Sequence, residues 1–563
     1  MPHSDDTTRT SRRQFLEQTV VGTAALLSGS LALDGCAATG DTSHITGQLA
    51  GPNHRLGHLL RDATHGRWAL PDTPFTVPSV EPAHEADILI VGGGIAGLSA
   101  RRWLEQQGVR NVLLIELEEE TGGNAQSGEN PVSPYPLGAH YLPIPDVRNR
   151  ELLDFLQQAD VITGFSPEGL PVYNDYHLCH DPEERLLIKG HWQEGLLPAM
   201  GVPADEQAQI SRFVALTDKL KAATGADGRD VFAIPVAASS TDPEWQKLDT
   251  LSFEEYLAQH GFTSPCLRWY LAYACKDDYG TNLANTSAWA GLHYFASRKG
   301  KAANASASSV LTWPEGNAFL AAHLRRQARS PILTGWLAHS IRRDTDRVYI
   351  KAFSAQTQQP AFFSARQVIL ATPQFITQRL INPVAPDRQA LTADFQYAPW
   401  LVANLTVTAL PQERGMPLCW DNVIYGSDSV GYVVAQHQSL QPQSEQQVIT
   451  LYWPLTNEAP DLARRKAYQT PYADWKQMIL AELEQGHPGV TAYVSDIQVW
   501  IWGHGMIAPQ RGFITGQARQ QAAQPIAGQL FFAHSDLSGM SIFEEAFYQG
   551  IRAAKEVLKS RNT

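Results

Sequence analysis

Cysteine is scarce in this chain: five residues in 563, with no two in a C-x-x-C pair. That excludes a disulfide-stapled scaffold at this length and gives no thiolate zinc or redox-motif reading. Long apolar runs are missing as well. No stretch reaches the 18 apolar residues expected of a transmembrane helix. Clustered positive charge is the third absence. Lys and Arg number 44 against 57 Asp and Glu, for a net charge of −13. No basic block interrupts the acidic background, so no nucleic-acid partner is expected, because phosphate contacts need grouped cations. The acidity would suit a cationic ligand or simply a solvated surface. What remains is ordinary for a globular protein, at 43% hydrophobic and 18% charged residues, and is long enough for more than one domain.

The N-terminus reads as an address. Ser11-Arg12-Arg13-Gln14-Phe15-Leu16 precedes an apolar stretch from Val20 to Leu33, too short to span a hydrocarbon core of about 30 Å. Paired Arg followed by Phe-Leu resembles the twin-arginine export signal, with Glu17 where Lys is usual. This resemblance implies a chain exported already folded to the periplasm or cell envelope. Leu33-Asp34-Gly35-Cys36 resembles a lipobox, which would make a lipid on Cys36 the chain's membrane link; cleavage beside an unmodified cysteine is the alternative. Residues 37–83, punctuated by Pro and Gly, read as a linker or wrapping arm.

A nucleotide site comes next along the chain. Asp87 to Val91 is a buried-strand run leading into Gly92-Gly93-Gly94-Ile95-Ala96-Gly97, then a helical pattern that ends near Gly108. Val112 to Ile115 makes a second strand, and Glu116 stands at its end, 19 residues after Gly97. Each part has a mechanical purpose. Gly92 permits the tight turn, Gly94 lets the backbone approach a pyrophosphate, and Gly97 lets helix and strand pack closely. Ile95 and Ala96 open a helix whose free N–H groups face the phosphates. Glu116 can accept from ribose hydroxyls.

Gly122-Gly123-Asn124, just beyond, resembles the second phosphate contact of the large flavoprotein class, with Asn124 where Arg is usual. From here the order of motifs resembles the flavin-containing amine oxidoreductase family, which includes monoamine and polyamine oxidases. Leu137-Gly138-Ala139-His140-Tyr141 resembles the segment running beside the isoalloxazine. Trp313 to Leu320 resembles a Gly-rich turn before a helix, and the backbone of Ala338 falls where the family contacts adenine. Val368-Ile369-Leu370-Ala371-Thr372-Pro373 resembles the strand-Ala-x-Pro return to the cofactor domain. Ala546 to Ala554 resembles the closing helix, preceded by Ser541 and Ile542 at the flavin. The resemblance implies FAD, no metal, and an α/β fold of the two-dinucleotide-binding-domain class. Its Rossmann-type FAD domain would be assembled from residues 84–150, 311–385 and 500–563. An α+β substrate-capping domain would be built from 151–310 and 386–499, after a signal over 1–36.

Three departures bear on chemistry. The stretch Tyr397 to Leu405 holds no Lys, where oxidases of the family place one behind flavin N5. The family's Ala-Gly-acid motif becomes Ala533-His534-Ser535-Asp536, displacing the acid to Asp536. Ile542 replaces an aromatic of the monoamine-oxidase cage. Trp500-Ile501-Trp502-Gly503-His504 falls where the family brings aromatics to the flavin, without a Cys for a thioether link. His140, Trp502 and His504 are the candidate catalytic residues: the histidines for proton handling or substrate binding, or as hydrogen-bonded structural residues, and Trp502 with Tyr141 as an apolar wall. Lys276-Asp277-Asp278 and Glu544-Glu545 are charged groups that could line a channel or steer a cation, or else cap and complement helices.

The expected activity is oxidation of a small amine, a polyamine among the candidates, by hydride transfer to FAD. Oxygen or a quinone- or dye-type carrier would accept the electrons. Amino-acid oxidation, another desaturation, and a non-catalytic FAD-stabilised envelope protein are the alternatives.

Overall fold

A computed structural model describes residues 41–64, 84–381, 385–411, 414–438 and 445–561. The chain divides into residues 1–42 and a compact unit, Ser43–Thr563, which carries the sheets and the site. Arg12, Arg13 and Cys36 lie outside the described residues.

The described residues form two large sheets. The first is built on parallel strands, Ile332–Leu333, Val112–Ile115, His84–Val91, Pro360–Leu370 and Leu530–Phe532, in that order. Parallel strands covered on both faces must be apolar throughout, and Ile88, Leu89 and Ile90 are completely buried. Pro360–Leu370 is long enough to serve two partners on one side. Its first half pairs antiparallel with Val348–Ser354 and its second half parallel with Leu530–Phe532. This strand joins the antiparallel meander, completed by Trp336–Arg343, to the nucleotide-type half.

Two helices pack together beside this sheet. Ile95–Gln106 begins directly after Gly94, and Phe543–Arg561 lies against it. Glycine sets both close approaches. A Cβ on Gly97 would sit 1.9 Å from the Gly92 carbonyl oxygen, and one on Gly550 would sit 2.1 Å from that of Ala96.

The second sheet has eight strands, and Tyr397–Val407 and Val494–Ile507 form its longest antiparallel pair. Their register breaks once near the site: Trp400 faces Trp502, but Ala398 faces Met506. Four steps on one strand therefore oppose two on the other, and Gly503-His504-Gly505 form the bulge. Bulges re-aim side chains next to functional sites, and here the effect is to send Trp502 and His504 to different cavities. A helical layer closes the assembly. Its helix Pro265–Tyr279 ends at Gly280 in the left-handed region (φ 62°), and a Cβ there would collide with Trp400 and Ala398. The end of that helix, carrying Asp277 and Asp278, is thereby held against the central sheet.

Candidate active site

A cavity of about 280 Å³ runs along the carboxyl ends of the parallel strands. Ligands in open α/β sheets bind at this edge. The sequence motifs converge there: Gly92, Gly94, Ile95, Ala96, Glu116, Gly122, Gly123, Ala139, Ala338, His504, Asp536, Ser541 and Ile542 all line it. Gly97 works one layer below, where the helix packs on the strand.

The cavity fits a dinucleotide on its own geometry. Gly94 and Gly122 form a backbone bridge, Gly122 and Gly123 both have positive φ, and the nearest atom to a Cβ on Gly94 is Gly123 Cα at 3.9 Å. Two turns thus meet without side chains, leaving room for phosphates between them. The first turns of Ile95–Gln106 and Phe543–Arg561 both reach this cavity. Helix N-termini offer unpaired N–H groups and a positive dipole to an anion. Glu116 accepts from the N–H groups of Gly93 and of Glu118 (2.9 Å), while burial raises its pKa.

Asp536 is tied into protein. Its carboxylate accepts from Tyr397 Oη–H (2.6 Å) and Gln374 N–H (2.9 Å), and it lies 2.8 Å from His534 Nδ1. Burial opposes its ionisation, but His534, Tyr397 and Gln374 together hold it below the usual carboxylate range. His534 and Ser535 line the same cavity beside it. Tyr397 as the partner of Asp536 had no sequence signal, because 139 residues separate the two.

A second cavity, of about 130 Å³, opens beyond the first; Asn124, Ala139, Gly505, Ser541, Ile542 and Phe543 line both. Gly138, His140 and Trp502 belong to this inner cavity, with Tyr141, Trp400 and Tyr452. Trp502 is anchored by its indole N–H to the Leu137 carbonyl (2.5 Å). His140 stacks on Tyr452 at 4.3 Å between ring centroids, and Tyr452 in turn donates to the Gly138 carbonyl (2.9 Å). His504 instead stacks on Phe375 at 4.2 Å, on the nucleotide side of the bulge. Burial pushes the pKa of both His140 and His504 down to about 3, so both rings are neutral at ordinary pH.

The groups that titrate near neutrality are carboxyls. Burial, then the neighbouring Asp278, pushes Asp277 up to about 7. Burial likewise raises Glu544 to about 7. Both line the inner cavity, together with the Asp278–Arg298 ion pair, whose two contacts are 2.7 and 2.9 Å. Asp277 and Asp278 sit in the last turn of their helix, the end that disfavours negative charge. The sequence exposed them as a charged cluster without revealing which cavity they face. Lys276, beside them, donates to the carbonyls of Asp428 (3.2 Å) and Ser427 (3.5 Å).

An outer funnel of about 500 Å³ continues from the inner cavity past His140, Tyr141, Asp277, Arg298 and Tyr452. It adds two more carboxyls, Glu184 and Asp421, both raised by burial, within a rim of Tyr270, Tyr273, Tyr294 and Trp420.

Fold and cavities together define a dinucleotide-binding protein whose nucleotide cleft opens into an aromatic chamber with carboxyls on its wall. The sequence profile described as "Flavin containing amine oxidoreductase" matches residues 95–558, and the chain belongs to that family. It is an FAD-dependent amine oxidoreductase, which sets the non-catalytic reading aside. Among solved structures, it is similar to putrescine oxidase bound to putrescine (TM-score 0.60, 15% identity, 84% of this chain and 99% of that one). Cyclohexylamine oxidase from Brevibacterium oxydans IH-35A gives TM-score 0.60 at 15% identity, covering 85% and 100%. A CLA-producing fatty acid isomerase from P. acnes gives 0.58 at 16%, covering 85% and 99%. No curated protein sequence matches the chain.

Proposed function

We propose that this chain oxidises a small cationic amine in the inner cavity, with FAD along the glycine-lined cleft. The carrying observation is the lining of that cavity. Two carboxyls, half-buried Asp277 and buried Glu544, stand among Tyr141, Tyr452, Trp400 and Trp502. Aromatic faces and carboxylates both attract an ammonium, and burial strengthens each contact. FAD supplies the hydride acceptor for the C–H beside the amine nitrogen. The protein's part is to bind, orient and deprotonate. Asp277, where inner cavity and funnel meet, receives the cation. Trp502 and Tyr141 wall the reacting carbon from water. The neutral rings of His140 and His504 accept or donate single hydrogen bonds and leave proton uptake to the carboxyls.

The funnel favours a di- or polyamine over a monoamine, because Glu184 and Asp421 give a second ammonium carboxyl partners that its own charge would help to ionise, although Lys221 and Arg298 line the same space. The fatty acid isomerase shares the fold with a different chemistry, so fold alone does not choose the substrate. The acids do. We include export in the proposal on the strength of Arg12-Arg13 and the short apolar stretch after them.

Replacing Asp277 with Asn tests the assignment. The kcat/KM for an amine should fall about 10–100-fold, the loss of one charge-assisted contact of roughly 1.5–3 kcal/mol, with FAD content unchanged. Equal loss for neutral and cationic substrates would remove Asp277 from the binding role.

A further inference from the structure

The inner cavity has a second way out. A constriction of about 10 Å³ shares Pro143, Ile234, Arg298 and Glu544 with it; Pro143 and Arg298 also border the funnel, whereas Ile234 and Glu544 do not. That constriction shares Asp146, Asn149 and Ile234 with a surface groove of about 490 Å³, which lies along the helix Phe543–Arg561. A volume near 10 Å³ admits about one water and no organic substrate, and its polar walls suit a water. Substrate must therefore use the funnel, while this passage can carry only water and protons. Glu544 stands at the junction. It is 4% exposed, opens the helix Phe543–Arg561, and is the one carboxyl among the described residues that lines both inner cavity and constriction.

We infer that Glu544 takes the proton from the incoming ammonium and discharges it through the Ile234 constriction to the surface groove. This rests on the amine reading above and adds a catalytic group and a route to it. In the step, an N–H bond of R–NH3+ breaks and an O–H bond forms on the Glu544 carboxylate, leaving R–NH2. The carboxylic acid then passes its proton to a water admitted to the constriction, which hands it on to solvent in the groove, and is again a carboxylate. No electrons move. Neutral amine is thereby made inside the cavity, where its lone pair can assist loss of hydride.

The charges facing Glu544 suit this cycle. Glu545 on its own helix and Asp278 across the cavity oppose its ionisation, and Arg298 favours it. Asp277 and Tyr141 share the inner cavity with it, and Asp146 and Lys299 share the constriction. Burial, the largest influence, leaves it near neutrality, where a carboxyl both accepts and releases a proton readily.

The test uses the FAD-loaded enzyme, mixed anaerobically with 1,4-diaminobutane or benzylamine in the presence of a pH-indicator dye. In the wild type, the rate of flavin bleaching should rise with pH through a midpoint near 7, with proton release keeping pace. Glu544→Gln should lose that limb and follow the amine's own ionisation, which lies near 10. Its rate at pH 7.5 should fall 10-fold or more. Glu544→Asp should restore part of the limb. Ile234→Trp, which keeps the acid and plugs the constriction, should delay proton release about 10-fold behind bleaching. Infrared difference titration without substrate should show carboxyl absorption near pH 7 that Glu544→Gln diminishes, the remainder belonging to Asp277 and Glu545. An unchanged pH limb in Glu544→Gln would overturn the role of the residue. Proton release still synchronous with bleaching in Ile234→Trp would overturn the route, and this variant decides if Glu544→Gln does not fold. Failure of every amine to bleach the wild type would instead strike the underlying amine reading.

Discussion

At the scale of single residues, the site separates groups that hold the cofactor from groups that handle charge. Gly94 is the clearest of the first kind, since its missing side chain opens the space facing Gly123. Gly94→Leu should fill that space, and the purified variant should carry less than a tenth of the wild-type flavin by visible absorbance. Full occupancy would move the pyrophosphate elsewhere. Asp277 is of the second kind, and its stability linkage has a definite sign. A carboxyl whose folded pKa is raised to about 7 stabilises the fold fully below its unfolded pKa near 4, and loses that contribution as pH climbs through 7. Asn imitates the protonated acid at all pH values. Asp277→Asn should therefore match the wild type in Tm near pH 4.5 and exceed it by a few degrees at pH 8. A Tm difference that does not change with pH would mean that Asp277 ionises freely in the fold. Trp400 to Leu405 bears on the electron acceptor. That buried strand offers no cation, and Lys276 is occupied at Ser427 and Asp428. A preorganised charge at a developing anion is worth roughly 3–4 kcal/mol, or two to three decades in rate. Substrate-reduced enzyme should thus reoxidise slowly in air and quickly with a quinone; fast oxygen reaction in stopped flow would contradict this.

At the scale of elements, the strand–turn–helix from Asp87 to Gln106 was legible in the sequence because its function is local. Every residue that shapes the phosphate turn lies within a few positions of the next, so spacing alone exposes the design. The inner cavity is the opposite case. Its walls come from Gly138–Tyr141, Asp277–Asp278, Arg298, Trp400, Tyr452, Trp502 and Ser541–Glu544, segments scattered over most of the chain. No window of sequence contains that juxtaposition. The bulge at Gly503–Gly505 was also hidden. Simple alternation along Val494–Ile507 puts Trp502 and His504 on one face, whereas the two extra residues send them to separate cavities. The closing helix could be read as a helix, but its dependence on Gly550 could not, since the partner is the Ala96 carbonyl. Gly550→Leu should force these helices apart and cost about 3 kcal/mol or more. Thermal unfolding measures it, and an unchanged Tm would show that the two helices can separate without loss.

At the scale of the whole molecule, the chain combines a nucleotide cleft, a chamber and two unequal openings. The funnel is wide and aromatic, with Glu184, Asp277 and Asp421 beside Arg298 and Lys221; the constriction has room for about one water. Such a division separates organic substrate from solvent protons. The export proposal belongs at this scale too. Twin-arginine transport carries folded proteins, which suits a chain that must enclose its dinucleotide before leaving the cytoplasm. Changing Arg12 and Arg13 together to Lys should leave flavin-loaded protein inside the cell, as fractionation would show; normal export of the double variant would refute it. The central claim is that an amine gives up hydride to FAD in the chamber bounded by Asp277, Glu544 and Trp502. Anaerobic titration of the FAD-loaded enzyme with a series of amines, alongside alcohols and carboxylates of matching carbon skeleton, measures it most directly. Loss of the yellow flavin absorbance with amines alone, most readily with diamines, is the predicted result. Bleaching by the nitrogen-free analogues with none by any amine would contradict it.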